Sequence, residues 1–312
     1  MDNRSAVHVF TLSGLQEART SKSLYFGLTL SIYILIIVVN LTLIIIISAE
    51  KSLHEPMYIF LCTLCGKGLY GTAGFYPKFL MDLTSEIHVI SYDFCLAQIF
   101  VIYTSVLWEI SILTVMAYDR FVAICRPLQY HNVMNPLMVV NLLLLAMCFP
   151  LMWSVVLIVL TARLPICGSH IDKLYCDNWS VVKLSCVPTT KNNIIGIIVI
   201  LTQASQAAFT LYSYWQIIRI CLKSREGRTK FIQTCLPHLL TITNFIISTL
   251  FDVIYSRYRS SMISQNLYNF LTVEFLVVPP LFNPIVYGLS LHKVRSSMLK
   301  ICVGQNKGVV IN

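Results

Sequence analysis

Residues 116 to 130 read MAYDRFVAICRPLQY, and in them an acid, Asp119, stands beside a base, Arg120, where a long apolar stretch ends. Upstream, residues 94 to 118 hold a single charge, Glu109. Downstream, Pro127 follows Arg126 and stops the helix, because proline lacks an amide hydrogen and pushes its predecessor out of helical geometry. A charge pair at such a place has two chemistries open to it. Arg120 can snorkel to lipid headgroups with Asp119 as its partner. Alternatively the acid holds the arginine until a cytoplasmic partner takes it, which makes the pair a latch. Glu109 raises a second possibility, since a carboxylate inside a membrane is costly and usually functional. Together with Asn40, Ser111 and Asn283 it would form a polar midplane site for water or a sodium ion. Lys67, the one charge in another apolar stretch, is its candidate counter-charge; the other option is that Lys67 turns toward a water-filled cavity. Asn283-Pro284 adds a backbone break, with Tyr287 one turn further on. Catalytic patterns are missing: the chain shows no Ser-His-Asp order, zinc-ligand cluster or glycine-rich phosphate loop. Cys62 and Cys65 have C-x-x-C spacing but lack the further ligands that metal or redox chemistry requires. The chain therefore reads as a non-enzyme, with no cofactor and no dedicated metal.

The elements that must position these residues are membrane helices. Of 312 residues, 56% are hydrophobic and 12% charged, about half the charged share of a soluble domain. A net charge of +9 would suggest nucleic acid for a soluble protein; here it fits basic loops against an anionic leaflet, with no nucleic-acid partner. Seven stretches are long and apolar enough to span a bilayer: 24–47, 57–76, 94–124, 137–160, 193–218, 231–251 and 267–289. The fold class is thus an all-α membrane protein, a seven-helix bundle. An odd number of spans puts the termini on opposite sides. Arg219, Lys223, Arg225, Arg228 and Lys230 crowd the connection between spans five and six, which places that loop, Arg120 and the carboxyl terminus in the cytoplasm. The domain reading is an extracellular tail (1–23), a membrane body (24–290), and a short cytoplasmic helix with its tail (291–312). The first 22 residues are polar and contain no removable signal peptide, so the first helix does the targeting. Asn3 heads a glycosylation sequon in the outer tail; Asn178 heads a second in the loop after span four. Four cysteines are external (Cys95, Cys167, Cys176 and Cys186), which implies two disulfides with three possible pairings.

The fifteen-residue string resembles the third-helix signature of the olfactory receptor family, within the rhodopsin-like G-protein-coupled receptors. Its core differs from that signature only at Phe121, where the family usually has tyrosine. Leu53-His54-Glu55-Pro56-Met57-Tyr58 resembles the family's first cytoplasmic turn. Lys230, Thr234-Cys235 and His238-Leu239 resemble its sixth-helix entry, and residues 279–287, PPLFNPIVY, its seventh-helix motif. The loop LPICGSHIDKLYCDNWSVVKLSC is similar to its long second external loop. The resemblance implies a plasma-membrane receptor that binds a small odorant and activates a heterotrimeric G protein of the stimulatory, cyclic-AMP-raising class. It selects the pairs Cys95–Cys176 and Cys167–Cys186. It assigns coupling to Asp119, Arg120, Asn283, Pro284 and Tyr287. It maps the ligand site to Ile102, Tyr103, Val106 and Leu107 on span three, Gln206 and Phe209 on span five, and Phe245 and Ile246 on span six. Two departures stand out. Gly68 replaces the second-helix aspartate of the wider superfamily, and Phe245-Ile246-Ile247 replaces the family's F-Y-G. Two rival readings stand beside this one: an olfactory-like chemoreceptor expressed outside the olfactory epithelium, and a small-solute transporter, which would call for inverted repeats, none of which is visible.

Overall fold

Among the described residues, seven long helices carry the chain: α1 (Lys22–Ala49), α2 (Pro56–Thr84), α3 (Tyr92–Cys125), α4 (Pro136–Ala162), α5 (Thr190–Cys221), α6 (Leu236–Arg257) and α7 (Gln265–Ser290). The computed structural model describes residues 9–14, 22–223, 229, 231, 235–257, 265–291 and 293–297. Asn3, Lys230, Thr234 and most of the basic loop after α5 lie outside that set. Helix limits follow from local chemistry. Ser91 accepts the Phe94 amide at 3.4 Å and Asp93 occupies the first turn of α3, so side chains meet the free amides at its start. Asn135 does the same for Met138 at 2.9 Å, with Pro136 opening α4. The second span was expected to end at residue 76 but runs to Thr84, through Pro77. Lys78 and Asp82 explain the extension: they sit one turn apart, bond each other and neutralise the added length.

The α3 helix is the axis of the bundle and touches α2, α4, α5 and α6, while α6 and α7 pack on each other and α7 closes back on α1 and α2. Without water to drive apolar faces together, membrane helices associate by close packing of small residues. Gly71 on α2 is such a contact: a methyl group there would lie 2.1 Å from Ser105 Oγ on α3. The inner half holds the largest apolar core, built around Leu61, Leu64, Leu113, Met116, Ile217 and Tyr287. Outward faces are apolar as well; Leu24, Leu28, Val38 and Ile45 on α1 are exposed, as a lipid-facing helix requires.

An all-α reading omits one element. Three short strands form a sheet over the outer mouth of the bundle: β1 (Val9–Leu12), β2 (Val89–Ser91) and β3 (His170–Ile171), in the order β2-β1-β3. The tail strand β1 runs antiparallel to β2 and parallel to β3. Phe10, Leu12, Ile90 and Ile171 bury one face of the sheet against Cys95, Cys176 and Val181. Just past β1, a methyl group on Gly14 would sit 2.8 Å from the Leu174 amide and the Lys173 carbonyl carbon, so only glycine lets the tail lie this close to the loop.

Candidate functional site

At the inner end of α3, Asp119 is fully buried and accepts from Arg120 Nε at 2.8 Å and from Arg120 Nη2. Neighbouring residues on a helix do not face each other, so the guanidinium must fold round to reach this carboxylate. Tyr130, in a short helix (Tyr130–Val133) after Pro127, donates to the other carboxylate oxygen at 2.8 Å. Burial, and then the charge of Asp119, push the Tyr130 hydroxyl above the ordinary tyrosine range, which keeps it a donor. Tyr130 was not among the expected site residues, although it ends the fifteen-residue string.

The expected midplane group divides into three. Glu109 pairs with Lys67 through one oxygen and accepts from Asn283 Nδ2 at 2.8 Å through the other, which ties α3 to α2 and α7. Lys67 therefore faces the carboxylate, and the option of a water-filled cavity falls away. Asn40 does not join them; its amide donates to the Pro280 carbonyl at 2.8 Å and to Ile36. Ser111 also points elsewhere, donating to Gln206 Oε1 on α5 at 3.1 Å. A tethered ammonium already neutralises Glu109, so a sodium ion there has no free carboxylate to meet. Pro284 lies inside α7, and Tyr287 is buried with its ring 6.3 Å from that of His238, which in turn hydrogen-bonds Tyr214.

At the outer end, Ile102, Tyr103, Val106, Leu107, Phe245 and Ile246 line a cavity of about 200 Å³. Gln206 and Phe209 do not. Gln206 turns to Ser111, and Phe209 is 43% exposed on the outer face of α5. The residues of α5 that do line the cavity are Val199, Ile200, Gln203, Ala204 and Ala207. The expected face of α5 is thus rotated from the observed one; three positions of helix turn a side chain by about 60°.

Disulfides join Cys95 to Cys176 and Cys167 to Cys186. The first ties the external loop to the start of α3, and Gln98 reinforces it by accepting the Cys176 amide at 2.8 Å. The tie brings Tyr175 and Asp177 onto the cavity wall. Beside them Lys173, 2% exposed, bridges Asp177 at 2.6 Å and Asp252 of α6 at 3.0 Å. Burial pushes the Asp177 carboxyl up, but the Lys173 ammonium and two bonds from Ser180 outweigh it and hold the group below its ordinary value. This loop-to-helix bridge joins residues 79 positions apart, and no local motif announces it.

The comparisons with known proteins agree on one family. A family model described as olfactory receptor matches residues 29–305. The chain is 34% identical over 307 residues to Olfactory receptor 4E1 of Homo sapiens, covering 96% of this chain and 95% of that protein. It is 32% identical over 313 residues to Olfactory receptor 2C1 of Mus musculus, covering 99% of each. Olfactory receptor 1D2 of Pongo pygmaeus is 31% identical over 310 residues, with 97% of each covered.

Proposed function

The chain belongs to the olfactory receptor family, and from that premise we propose where its odorant sits and how binding reaches the G protein. It is an odorant-sensing, seven-helix G-protein-coupled receptor of the plasma membrane, and not an enzyme. The odorant occupies the cavity between α3, α5 and α6, beneath the loop pinned by Cys95–Cys176. The G protein is of the stimulatory class, and Asp119 with Arg120 is the latch it opens. The reading gives 24–290 to the receptor body, 1–23 to the outer tail and 291–312 to the cytoplasmic end.

The observation that supports this most is that one helix carries both ends. Cavity-lining Val106 and the latch at Arg120 lie fourteen residues apart on α3, a distance of about 21 Å along a continuous helix. A shift of α3 or of its neighbour α6 at the cavity therefore reaches the latch without a separate relay. Asn283 and Tyr287 stand between the two levels on α7, beside Glu109 and His238 respectively. The test is cyclic-AMP output per surface receptor on exposure to a broad odorant panel, in the parent and in Arg120→Ala. The proposal expects a response in the parent and almost none in the variant at equal surface level. Equal output per receptor would show Arg120 to be only an anchor.

A further inference from the structure

We infer that the odorant is a neutral, largely hydrocarbon molecule carrying a hydroxyl group, and that Gln203 and Thr249 read that hydroxyl. This rests on the assignment of the cavity as the odorant site and goes further by naming the ligand's chemical class.

The cavity wall is almost wholly apolar. Besides Tyr103, Tyr175, Asp177 and Asp252, Gln203 on α5 and Thr249 on α6 interrupt it, and both Gln203 side-chain polar atoms and the Thr249 hydroxyl are buried without a hydrogen-bond partner. Each belongs to the wall by helical spacing. Val199, Gln203 and Ala207 recur every fourth residue on α5, and Phe245, Thr249 and Val253 do so on α6. Buried polar groups in proteins are nearly always paired, so three unpaired atoms on one cavity point to a partner that arrives with the ligand.

The donor and acceptor inventory decides which partner. Gln203 offers a donor at Nε2 and an acceptor at Oε1, while Thr249 offers both at Oγ1. A ligand hydroxyl can donate to Gln203 Oε1 and accept from Gln203 Nε2 or Thr249. Aldehydes, ketones and esters only accept, and would leave Oε1 unpaired. A hydrocarbon would leave all three groups unpaired. A carboxylic acid ionises at neutral pH and would meet Asp177 and Asp252 on the same wall. Lys173 bridges these two carboxylates, so its ammonium is already engaged by them. An amine would bring its charge into an apolar cavity whose acids already have a cationic partner.

The experiment uses cells displaying the full chain, with cyclic AMP as readout. The ligand panel has straight-chain, cyclic and aromatic skeletons, each presented as alcohol, aldehyde or ketone, carboxylic acid and amine. The expected result is activation by the alcohol of at least one skeleton, with its carbonyl analogue at least tenfold weaker. Gln203→Leu and Thr249→Val should each erase most of that alcohol preference, by roughly tenfold for a lost buried hydrogen bond. Should Gln203→Leu fail to reach the surface, the nearly isosteric Thr249→Val carries the test alone. An acid, amine or carbonyl preferred over its matched alcohol would overturn the inference while leaving the receptor assignment standing. So would an alcohol preference unchanged in displayed Gln203→Leu and Thr249→Val. A silent panel is resolved with Asp119→Asn. If that variant raises basal cyclic AMP, coupling is intact and only the alcohol inference fails. If it does not, the proposed function fails with it.

Discussion

Glu109 and Asp119 lie about 15 Å apart on α3, each bonded to a cation, yet their surroundings differ in kind. Glu109 has both oxygens committed to other helices, one to Lys67 of α2 and one to Asn283 of α7. Its side chain and that of Lys67 are 1% and 5% exposed. Asp119 instead holds its own neighbour Arg120 and a tyrosine of the following turn, and the arginine side chain is 17% exposed. The first pair ties three helices at a depth where, among the described residues, neither charge has another charged partner. The second leaves its cation within reach of the cytoplasm. The contrast shows that a carboxylate–cation pair buried between helices ties three of them together, whereas one at a helix end stays within a single helix and leaves its cation partly exposed.

The sharpest way to break this contrast is to strand a charge in the knot. Lys67→Met leaves Glu109 buried and uncompensated, a loss of about 3–5 kcal/mol, and should abolish most surface display. Adding Glu109→Gln to it should restore much of the display. Independent, additive losses in that cycle, measured by surface staining and thermal stability in detergent, would mean the two residues are not a pair. Arg120→Ala should do the reverse: surface level close to the parent's, but cyclic AMP per receptor reduced to background. Asp119→Asn comes next, with basal output raised several-fold because the restraint on Arg120 is gone. Tyr130→Phe removes one hydrogen bond, worth ~1 kcal/mol, so its rise in basal output should be smaller. A larger rise than that of Asp119→Asn would make the tyrosine the main restraint.

The smallest effect is expected at a third acid–base site, on the outer face. The folded state holds the Asp177 carboxyl below its ordinary value, so the stability this group contributes is present in full above that value. It is lost only as pH falls through the depressed folded value. Odorant potency should therefore stay flat from neutral pH down to roughly pH 5. A decline already at mildly acidic pH would show that Lys173 does not hold Asp177 as described.

Much of this was legible in the chain. Charge-free stretches marked the helices, and lone charges at Lys67, Glu109 and Asp119-Arg120 marked the two pairs, because a charge in lipid is conspicuous. The rotation of α5 was not legible. Leu201 and Leu211 face outward while Val199 lines the cavity, so apolar residues occupy both faces and hydropathy carries no azimuth that could have corrected Gln206 and Phe209, which came from the resemblance. Polar grouping by depth misled as well. Asn40 and Ser111 lie in membrane helices like Glu109, yet neither bonds it: Asn40 donates to Pro280 of α7 and Ser111 to Gln206 of α5. The sheet was hidden because strands of two to four residues show no periodicity.

That sheet also sets an order of manufacture. Its middle strand, β1, is made well before its parallel partner β3, which pairs His170 with Thr11, 159 positions earlier. At synthesis rates of roughly 5–20 residues per second, the tail must wait on the order of 10–30 s for the strand that completes its pairing. Throughout that interval β1 offers an open edge, the kind of surface that recruits stray strands. The cover over the outer mouth of this receptor therefore cannot be completed before the loop that carries β3 has emerged, and β1 is vulnerable until then.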